Sequence, residues 1–147
     1  EATFIGDVDF GWAHFAGNAD FVGAHFVGDA DFGWAHFAGN ADFGWATFAG
    51  NTYFRGATFA CDAYFGGASF ARNVDFRRAE FRASAAFSGI QCQPSFVFEE
   101  CKFNKISRDA YKWGPIPIPE DNDELPAGAV WKDFPEEDDK DGGTTNR

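Results

Sequence analysis

Phenylalanine recurs along this chain at spacings that alternate between six and five residues, so the pattern has a period of eleven. It runs without interruption from Phe4 to Phe87, and the same spacings continued lead to Cys92, Phe98 and Phe103. A fixed internal period is typical of repeat proteins, in which each unit buries its apolar side chain against its neighbours. The pattern therefore predicts a solenoid rather than an irregular globular core.

The composition agrees with a single apolar site that is used many times. Phe occurs 20 times and Leu once, and Met is absent, whereas an irregular core mixes several aliphatic side chains to reach close packing. The Phe residues on the eleven-residue frame are therefore the predicted core. They are Phe4, Phe10, Phe15, Phe21, Phe26, Phe32, Phe37, Phe43, Phe48, Phe54, Phe59, Phe65, Phe70, Phe76, Phe81, Phe87, Phe98 and Phe103.

The residues around each framed Phe predict short strands joined by turns. The residue two positions earlier is small and the one directly before is polar or tolerant, as in Ala30, Asp31 and Phe32. The small residue and the Phe would then face inward and the residue between them outward, which is the two-residue alternation of a half-buried strand. Gly commonly follows, and every second unit carries one extra residue, mostly Asn or Asp, which favours a turn.

These units resemble the pentapeptide-repeat family. The matching segments are Ala-Asp-Phe-Gly-Trp at 30–34 and 41–45, Ala-His-Phe-Ala-Gly at 13–17 and Ala-Thr-Phe-Ala-Gly at 46–50. The resemblance implies an all-β fold, a right-handed four-sided β-helix with four units per coil. The extra residue in alternate units is a departure from the family pattern, and it lengthens the coil from 20 to about 22 residues.

The eleven-residue period also suits a flattened two-sided solenoid with eleven residues per coil, so the residues themselves leave this alternative open. Composition divides the chain into three parts. Residues 1–104 are the predicted repeat region, residues 105–119 a cap and Pro-rich linker, and residues 120–147 an acidic, extended or disordered tail.

The charge of the chain excludes some classes of partner. The formal net charge is −11, which opposes direct binding to nucleic acid because phosphate contacts need cations. No apolar run is long enough to span a membrane, and no signal-peptide pattern is present in this stretch, so the compartment stays undefined. The three cysteines, Cys61, Cys92 and Cys101, are too few for a disulfide scaffold.

The sequence predicts no catalytic, cofactor or metal site. In a four-sided coil, His14 and His36 share a side while His25 lies on the opposite one, so three imidazoles do not converge on one ion. Paired carboxylates occur without a recurring nucleophile or oxyanion donor beside them.

The candidate interaction surface combines exposed aromatic corners with an uneven charge distribution. Residues 1–54 contain seven acidic residues and no Lys or Arg, a net charge of −7, whereas residues 55–91 contain five Arg and three acidic residues, a net charge of +2. Such a rod can associate through complementary potentials. The candidate residues are Trp12, Trp34, Trp45, Asp9, Asp31, Asp20, Asp42, Arg72, Arg77, Arg78 and Arg82.

These features favour a non-enzymatic structural or protein-interaction module. Its partner is another protein or a second copy of the chain, bound end to end through an open coil edge, or the chain is part of a longer rod. The family resemblance implies an alternative, because some pentapeptide-repeat proteins are acidic dimeric rods that mimic duplex DNA and bind type II topoisomerases such as DNA gyrase.

Overall fold

The computed structural model describes residues 1–92 and 96–135, which form short parallel strands and one 3-10 helix, Lys105–Ala110. In chain order the strands are β1 (Thr3–Phe4), β2 (Val8–Asp9), β3 (His14–Phe15), β4 (Ala19–Asp20), β5 (His25–Phe26), β6 (Ala30–Asp31), β7 (His36–Phe37), β8 (Ala41–Asp42), β9 (Thr47–Phe48), β10 (Thr52–Tyr53), β11 (Thr58–Phe59), β12 (Ala63–Tyr64), β13 (Ser69–Phe70), β14 (Val74–Asp75), β15 (Glu80–Phe81), β16 (Ala85–Ala86), β17 (Gln91–Cys92), β18 (Phe96–Val97), β19 (Lys102–Asn104), β20 (Tyr111–Lys112) and β21 (Val130–Lys132).

The strands form four parallel sheets, one on each side of the solenoid. Side 1 contains β1, β5, β9, β13 and β17; side 2 contains β2, β6, β10, β14 and β18; side 3 contains β3, β7, β11, β15, β19 and β21; side 4 contains β4, β8, β12, β16 and β20. Coil 1 is β1–β4, coil 2 is β5–β8, coil 3 is β9–β12, coil 4 is β13–β16 and coil 5 is β17–β20.

The register confirms the four-sided fold and excludes the two-sided alternative. Thr3 pairs with His25 and Val8 pairs with Ala30, so equivalent residues are 22 apart and each coil uses two eleven-residue periods. Within a coil the chain turns four times before it returns to the same sheet.

The framed Phe rings form four stacked columns inside the coils. Rings one coil apart lie 4.7 to 5.3 Å between centroids and are nearly parallel. The columns of sides 2 and 4 also meet edge to face across the interior, as in Phe32 against Phe43 at 5.2 Å. Both arrangements are favourable for aromatic quadrupoles. From Phe26 to Phe87, every ring on the frame is buried.

The corners after sides 2 and 4 are tight turns of four residues. The Ala13 amide donates to the Phe10 carbonyl at 3.0 Å, and the same bond recurs at each of these corners through coil 4. The third residue has a positive φ, for example 65° at Trp12 and 70° at Gly56, which is the backbone of a type II turn.

The corners after sides 1 and 3 contain the extra residue, and its side chain bonds to the next coil. The Asp29 amide donates to Asp7 Oδ1 at 2.8 Å, and the Asn51 amide donates to Asp29 Oδ1 at 2.8 Å. The same ladder links Asn18 to Asn40 at the other corner of this kind. The sixth residue of alternate units therefore joins successive coils through a backbone amide.

In the fifth coil, a small residue stands at one Phe position and a Phe stands at the neighbouring small position. Cys92 stands below Phe70 at a Phe position, while Phe96 stands below Val74 at a small position. The Phe96 ring packs edge to face against Phe70 with centroids 5.5 Å apart. The exchange fills part of the space that Cys92 leaves, because the two changes in side-chain volume have opposite signs.

The Phe frame resumes after the 3-10 helix, four residues later than its spacing predicts. Asn104 begins this helix by accepting the Ile106 amide at 3.1 Å. Beyond the helix, Tyr111 pairs with Ala85, and the Trp113 ring stacks on Phe87 with centroids 5.8 Å apart. Trp113 thus occupies the Phe position that the fixed spacing assigns to Asp109.

Residues 120–135, which composition placed in an acidic tail, fold over the last coil. Val130–Lys132 extends side 3 next to β19, and Leu125 is buried. Trp131 Nε1 donates to the Asp123 carbonyl at 2.9 Å, while the Arg108 guanidinium lies 4.6 Å from the Trp131 ring centroid. A few apolar anchors therefore order this acidic segment. The rest of the predicted tail, residues 136–147, lies outside the described residues.

Two Phe of one column provide a test of the ring stack. Phe54 is fully buried between Phe32 and Phe76, whereas Phe10, in the first coil, is only half-buried. We expect Phe54→Ala to lower the free energy of unfolding by about 3–5 kcal/mol and Phe10→Ala to lower it clearly less, because less apolar surface is lost. Urea unfolding followed by circular dichroism measures both. Equal losses would contradict a stability set by ring burial.

Candidate protein interaction surface

Three tryptophans stand at corners of the solenoid in the left-handed backbone region. Trp12, Trp34 and Trp45 have φ values of 65°, 60° and 58°, at the third turn position that Gly56 and Gly67 occupy in the next coils. Left-handed backbone costs a residue with a Cβ on the order of 1–2 kcal/mol relative to right-handed backbone. These indoles are therefore held where glycine fits with less strain.

Each indole covers the corner of the following coil. The Trp12 ring stacks on Trp34 with centroids 5.5 Å apart. A Cβ placed on Gly56 would lie 2.4 Å from the Trp34 ring, and one on Gly67 would lie 2.7 Å from the Trp45 ring. The three residues nevertheless stay 76%, 43% and 73% exposed, respectively, so much of each aromatic surface faces solvent.

Sides 2 and 4 present carboxylates that stabilise the turns. Asp9 Oδ1 accepts the Gly11 amide at 2.8 Å, and Asp31 Oδ1 accepts the Gly33 amide at 2.7 Å. On side 4, Asp20 and Asp42 make the equivalent bonds. No ion pair neutralises these four carboxylates within the described residues.

Three of the four predicted Arg residues are bound to carboxylates of the same chain. Arg77 reaches Asp75 at 2.8 Å, Arg78 reaches Glu100 at 3.0 Å and Arg82 reaches Glu80 at 2.9 Å. The remaining one, Arg72, is exposed and makes no ion pair within residues 1–92 and 96–135. The mildly basic half of the rod is therefore largely neutralised locally.

Asp75 is the carboxylate most affected by its surroundings. Burial raises its pKa, but the Arg77 guanidinium and the Arg77 backbone amide outweigh that effect, so the pKa ends below its ordinary value. The pKa of Asp62 is also lowered, because its carboxylate accepts hydrogen bonds from Ser84. Both carboxylates thus contribute stability in their charged form.

The structure brings some of the candidate residues together along one corner of the rod. The corner between sides 2 and 3 consists of residues 11–12, 33–34, 55–56 and 77–78, and we call it the Trp–Arg edge. It places two indoles in coils 1 and 2, then Arg55 in coil 3, then two arginines in coil 4. Arg55 was not among the residues predicted from the sequence, although it lies 22 residues after Gly33 and therefore falls on this edge with either coil length.

Other candidate residues lie elsewhere. Trp45 is at the corner between sides 4 and 1, diagonally across the coil from Trp12 and Trp34. Arg72 is at the corner between sides 1 and 2, and Arg82 is at the corner between sides 3 and 4. The predicted residues therefore form several small surfaces and not one patch.

The histidines and cysteines form no reactive cluster among the described residues. His14 and His36 contact each other on side 3 with ring centroids 4.9 Å apart, while His25 lies on side 1. No group of three or more His, Cys, Asp or Glu in residues 1–92 and 96–135 is arranged to hold a metal ion. The cysteines are free thiols, and burial raises the pKa of Cys92 and Cys101.

Comparison with known proteins identifies the family. A model of pentapeptide repeats, in nine copies, matches residues 1–33 and 46–91. This chain belongs to the pentapeptide-repeat family. Its 22-residue coil is a variant in which units of five and six residues alternate.

Among solved structures, this pentapeptide-repeat protein matches a trypsin-treated variant of QnrB1, a plasmid-mediated fluoroquinolone resistance protein. The sequence identity is 12%, the TM-score is 0.24, and the match covers 90% of this chain and 92% of the other. So low a score supports no functional conclusion. No curated protein matches the chain. None of its described helices has the length and apolar character needed to cross a bilayer.

The pair of Asp75 and Arg77 predicts part of the acid sensitivity of the fold. A carboxylate whose pKa is depressed by folding adds stability above its unfolded pKa, and that stability is lost as the pH falls through the folded pKa. We expect Asp75→Asn to flatten the fall in unfolding free energy below about pH 4. In Arg77→Gln, the folded pKa of Asp75 moves back up toward its unfolded value, so the variant should be less stable at neutral pH and its acid-dependent fall should be smaller than that of the wild type.

Urea unfolding at a series of pH values measures both effects. Identical acid limbs for the wild type and both variants would show that this ion pair does not contribute to the pH dependence.

Proposed function

We propose that this pentapeptide-repeat protein is a non-enzymatic protein-interaction module. The observation that carries the proposal is the set of exposed corner tryptophans in coils 1 and 2, held in left-handed backbone. Tryptophan is enriched at the energetic centres of protein interfaces, because a large rigid apolar ring is buried there at little cost in entropy. Retaining indoles where glycine fits with less strain favours a binding role over a structural one.

The charge of the same region supports a protein partner. Residues 1–54 carry seven acidic residues and no Lys or Arg, and four of those carboxylates, Asp9, Asp20, Asp31 and Asp42, form no ion pair in the described part of the chain. Complementary charge speeds encounter and selects partners. A cationic, partly apolar protein surface fits both the carboxylates and the indoles.

Glycine substitution tests the role of the indoles without breaking the turns. The triple variant Trp12→Gly, Trp34→Gly and Trp45→Gly should keep its fold, because Gly23, Gly56 and Gly67 occupy the same turn position. The purified protein is cross-linked in extract from its native cells, and the products are identified by mass spectrometry. The wild type should form the same protein adducts near these positions in repeated experiments. We expect the triple variant to lose them.

The matched control is Ile106→Ala, which removes a side chain that is 85% exposed and lies outside the first coils. Its adducts should equal those of the wild type. If the triple variant and the control retain the same adducts, the indoles are not the binding residues.

A second candidate function is mimicry of duplex DNA toward a type II topoisomerase. The observation that favours it is the placement of Asp9 and Asp31 on one side and Asp20 and Asp42 on the opposite one. Two uncompensated carboxylate rows on opposite sides of a rod present a field of the sign that DNA has. The arginines of coils 3 and 4 interrupt this field, so it ranks second.

A supercoiling assay with DNA gyrase tests the mimicry. We expect micromolar protein to alter supercoiling if the carboxylates act as phosphates, and the variant with Asp9, Asp20, Asp31 and Asp42 changed to Asn to lose the effect. The Asn side chains still accept the turn amides, so the variant isolates charge. No effect of the wild type would exclude this function.

A further inference from the structure

The Trp–Arg edge of one copy is complementary to the same edge of a second copy that runs in the opposite direction. From coil 1 to coil 4 its third turn position holds Trp12, Trp34, Gly56 and Arg78, and the position before it holds Gly11, Gly33, Arg55 and Arg77. The aromatic members thus occupy two successive coils, and the basic members occupy the next two. Coils repeat at roughly the 4.8 Å spacing of paired strands, so both halves of the edge have the same length.

We propose that a second copy of this chain binds antiparallel along the Trp–Arg edge, about a two-fold axis that passes between coils 2 and 3. This names the partner of the proposed interaction module and rests on that function. Such an axis places coil 1 of one copy against coil 4 of the other, and coil 2 against coil 3. Every contact is then made twice, as in any isologous interface.

The two-fold axis pairs opposite charges on the side 2 flank of the edge. Asp31, in coil 2, comes to lie beside Arg55 of the second copy, and Asp9, in coil 1, beside Arg77 of the second copy. Asp9 and Asp31 lack a cation in the described part of their own chain, and Arg55 forms no ion pair there. Arg77 keeps its ion pair with Asp75, a carboxylate whose pKa the charge of Arg55 also lowers. Association therefore gives Asp9 and Asp31 a cationic neighbour and adds a second carboxylate beside each arginine.

The indoles and the arginine stems complete the contact. Trp12 is 76% exposed and Trp34 43%, and Arg55 is exposed on the same edge. The methylene groups of arginine cover apolar surface while the guanidinium stays hydrated or paired. Trp34 can thus bury part of its exposed surface under Arg55 of the second copy without removing that charge from water.

Alternative arrangements of two copies lack this match. A parallel pair along the same edge would place Arg55 against Arg55 and Arg78 against Arg78, which repel. Contact through sides 2 brings Asp9 and Asp75 together, and contact through sides 4 brings together carboxylates such as Asp42. The antiparallel edge is the arrangement in which opposite charges meet.

The dimer is expected to be weak and salt-sensitive. An edge-to-edge contact buries less than the roughly 1,600 Å² of a standard interface, so a dissociation constant in the micromolar range is appropriate. Charges at the rim of an interface are screened at high ionic strength. Sedimentation equilibrium of the full chain at low salt should show dimers whose dissociation constant rises about tenfold or more in 0.5 M NaCl.

Charge reversal tests the pairing of specific residues. Asp31→Arg alone and Arg55→Asp alone should each weaken the dimer about tenfold or more, because each creates like-charge contacts twice. The double variant, Asp31→Arg with Arg55→Asp, should restore wild-type affinity since it reverses both members of the pair. Arg72→Asp is the matched control, because it removes an exposed arginine at a different corner and should leave association unchanged.

Circular dichroism of each variant establishes that the coils remain folded. A wild type that stays monomeric at several hundred micromolar protein in low salt would overturn the proposed dimer. So would a dimer that Arg55→Asp and Arg72→Asp weaken equally, or one that the double variant fails to restore. None of these outcomes affects adducts of the corner tryptophans with a different protein, so the wider interaction function can survive the loss of this partner.

Discussion

The fold depends on the agreement between two distances, the spacing of hydrogen-bonded strands and the spacing of stacked aromatic rings. Parallel strands lie roughly 4.8 Å apart, and the Phe rings of successive coils lie 4.7 to 5.3 Å apart between centroids. Each ring can thus stack on the next while the backbone keeps its bonds. A Phe at the same position in every coil satisfies both requirements, whereas side chains of mixed size would leave gaps or overlaps.

The two kinds of corner have different structural roles. Corners after sides 2 and 4 close within four residues and place one residue in left-handed backbone, a position that holds Trp, Gly, Arg or Glu in different coils. Corners after sides 1 and 3 use the sixth residue to bond the next coil, as Asp7 does with the Asp29 amide. The first kind displays variable side chains at its surface, and the second contributes to cohesion between coils. Function is therefore expected at the first kind.

The last coil of the described rod is covered by residues of the same chain. In coil 5, Cys92 takes a Phe position and Phe96 takes a small position. Trp113 continues a Phe column after the 3-10 helix. Val130–Lys132 then adds a strand to side 3. The Tyr111 hydroxyl accepts the Asn104 amide at 3.0 Å and lies in a buried setting that raises its pKa. Larger aromatic residues and a hydrogen bond thus replace the contacts that another coil would make.

The spacing of Phe by itself determined the repeat, the inward residues and the short strands, because those depend only on which residues recur. The coil length was decided by the tertiary structure. With eleven residues per coil, one edge would hold Trp12, Trp34 and Trp45 together with Arg55, Arg77 and Arg78; with 22, Trp45 moves to the diagonally opposite corner while the arginines stay with the other two indoles. The period alone fits both lengths. The hydrogen bonds between strands 22 residues apart fix the coil at 22 residues, and the coil length determines which residues meet on each edge.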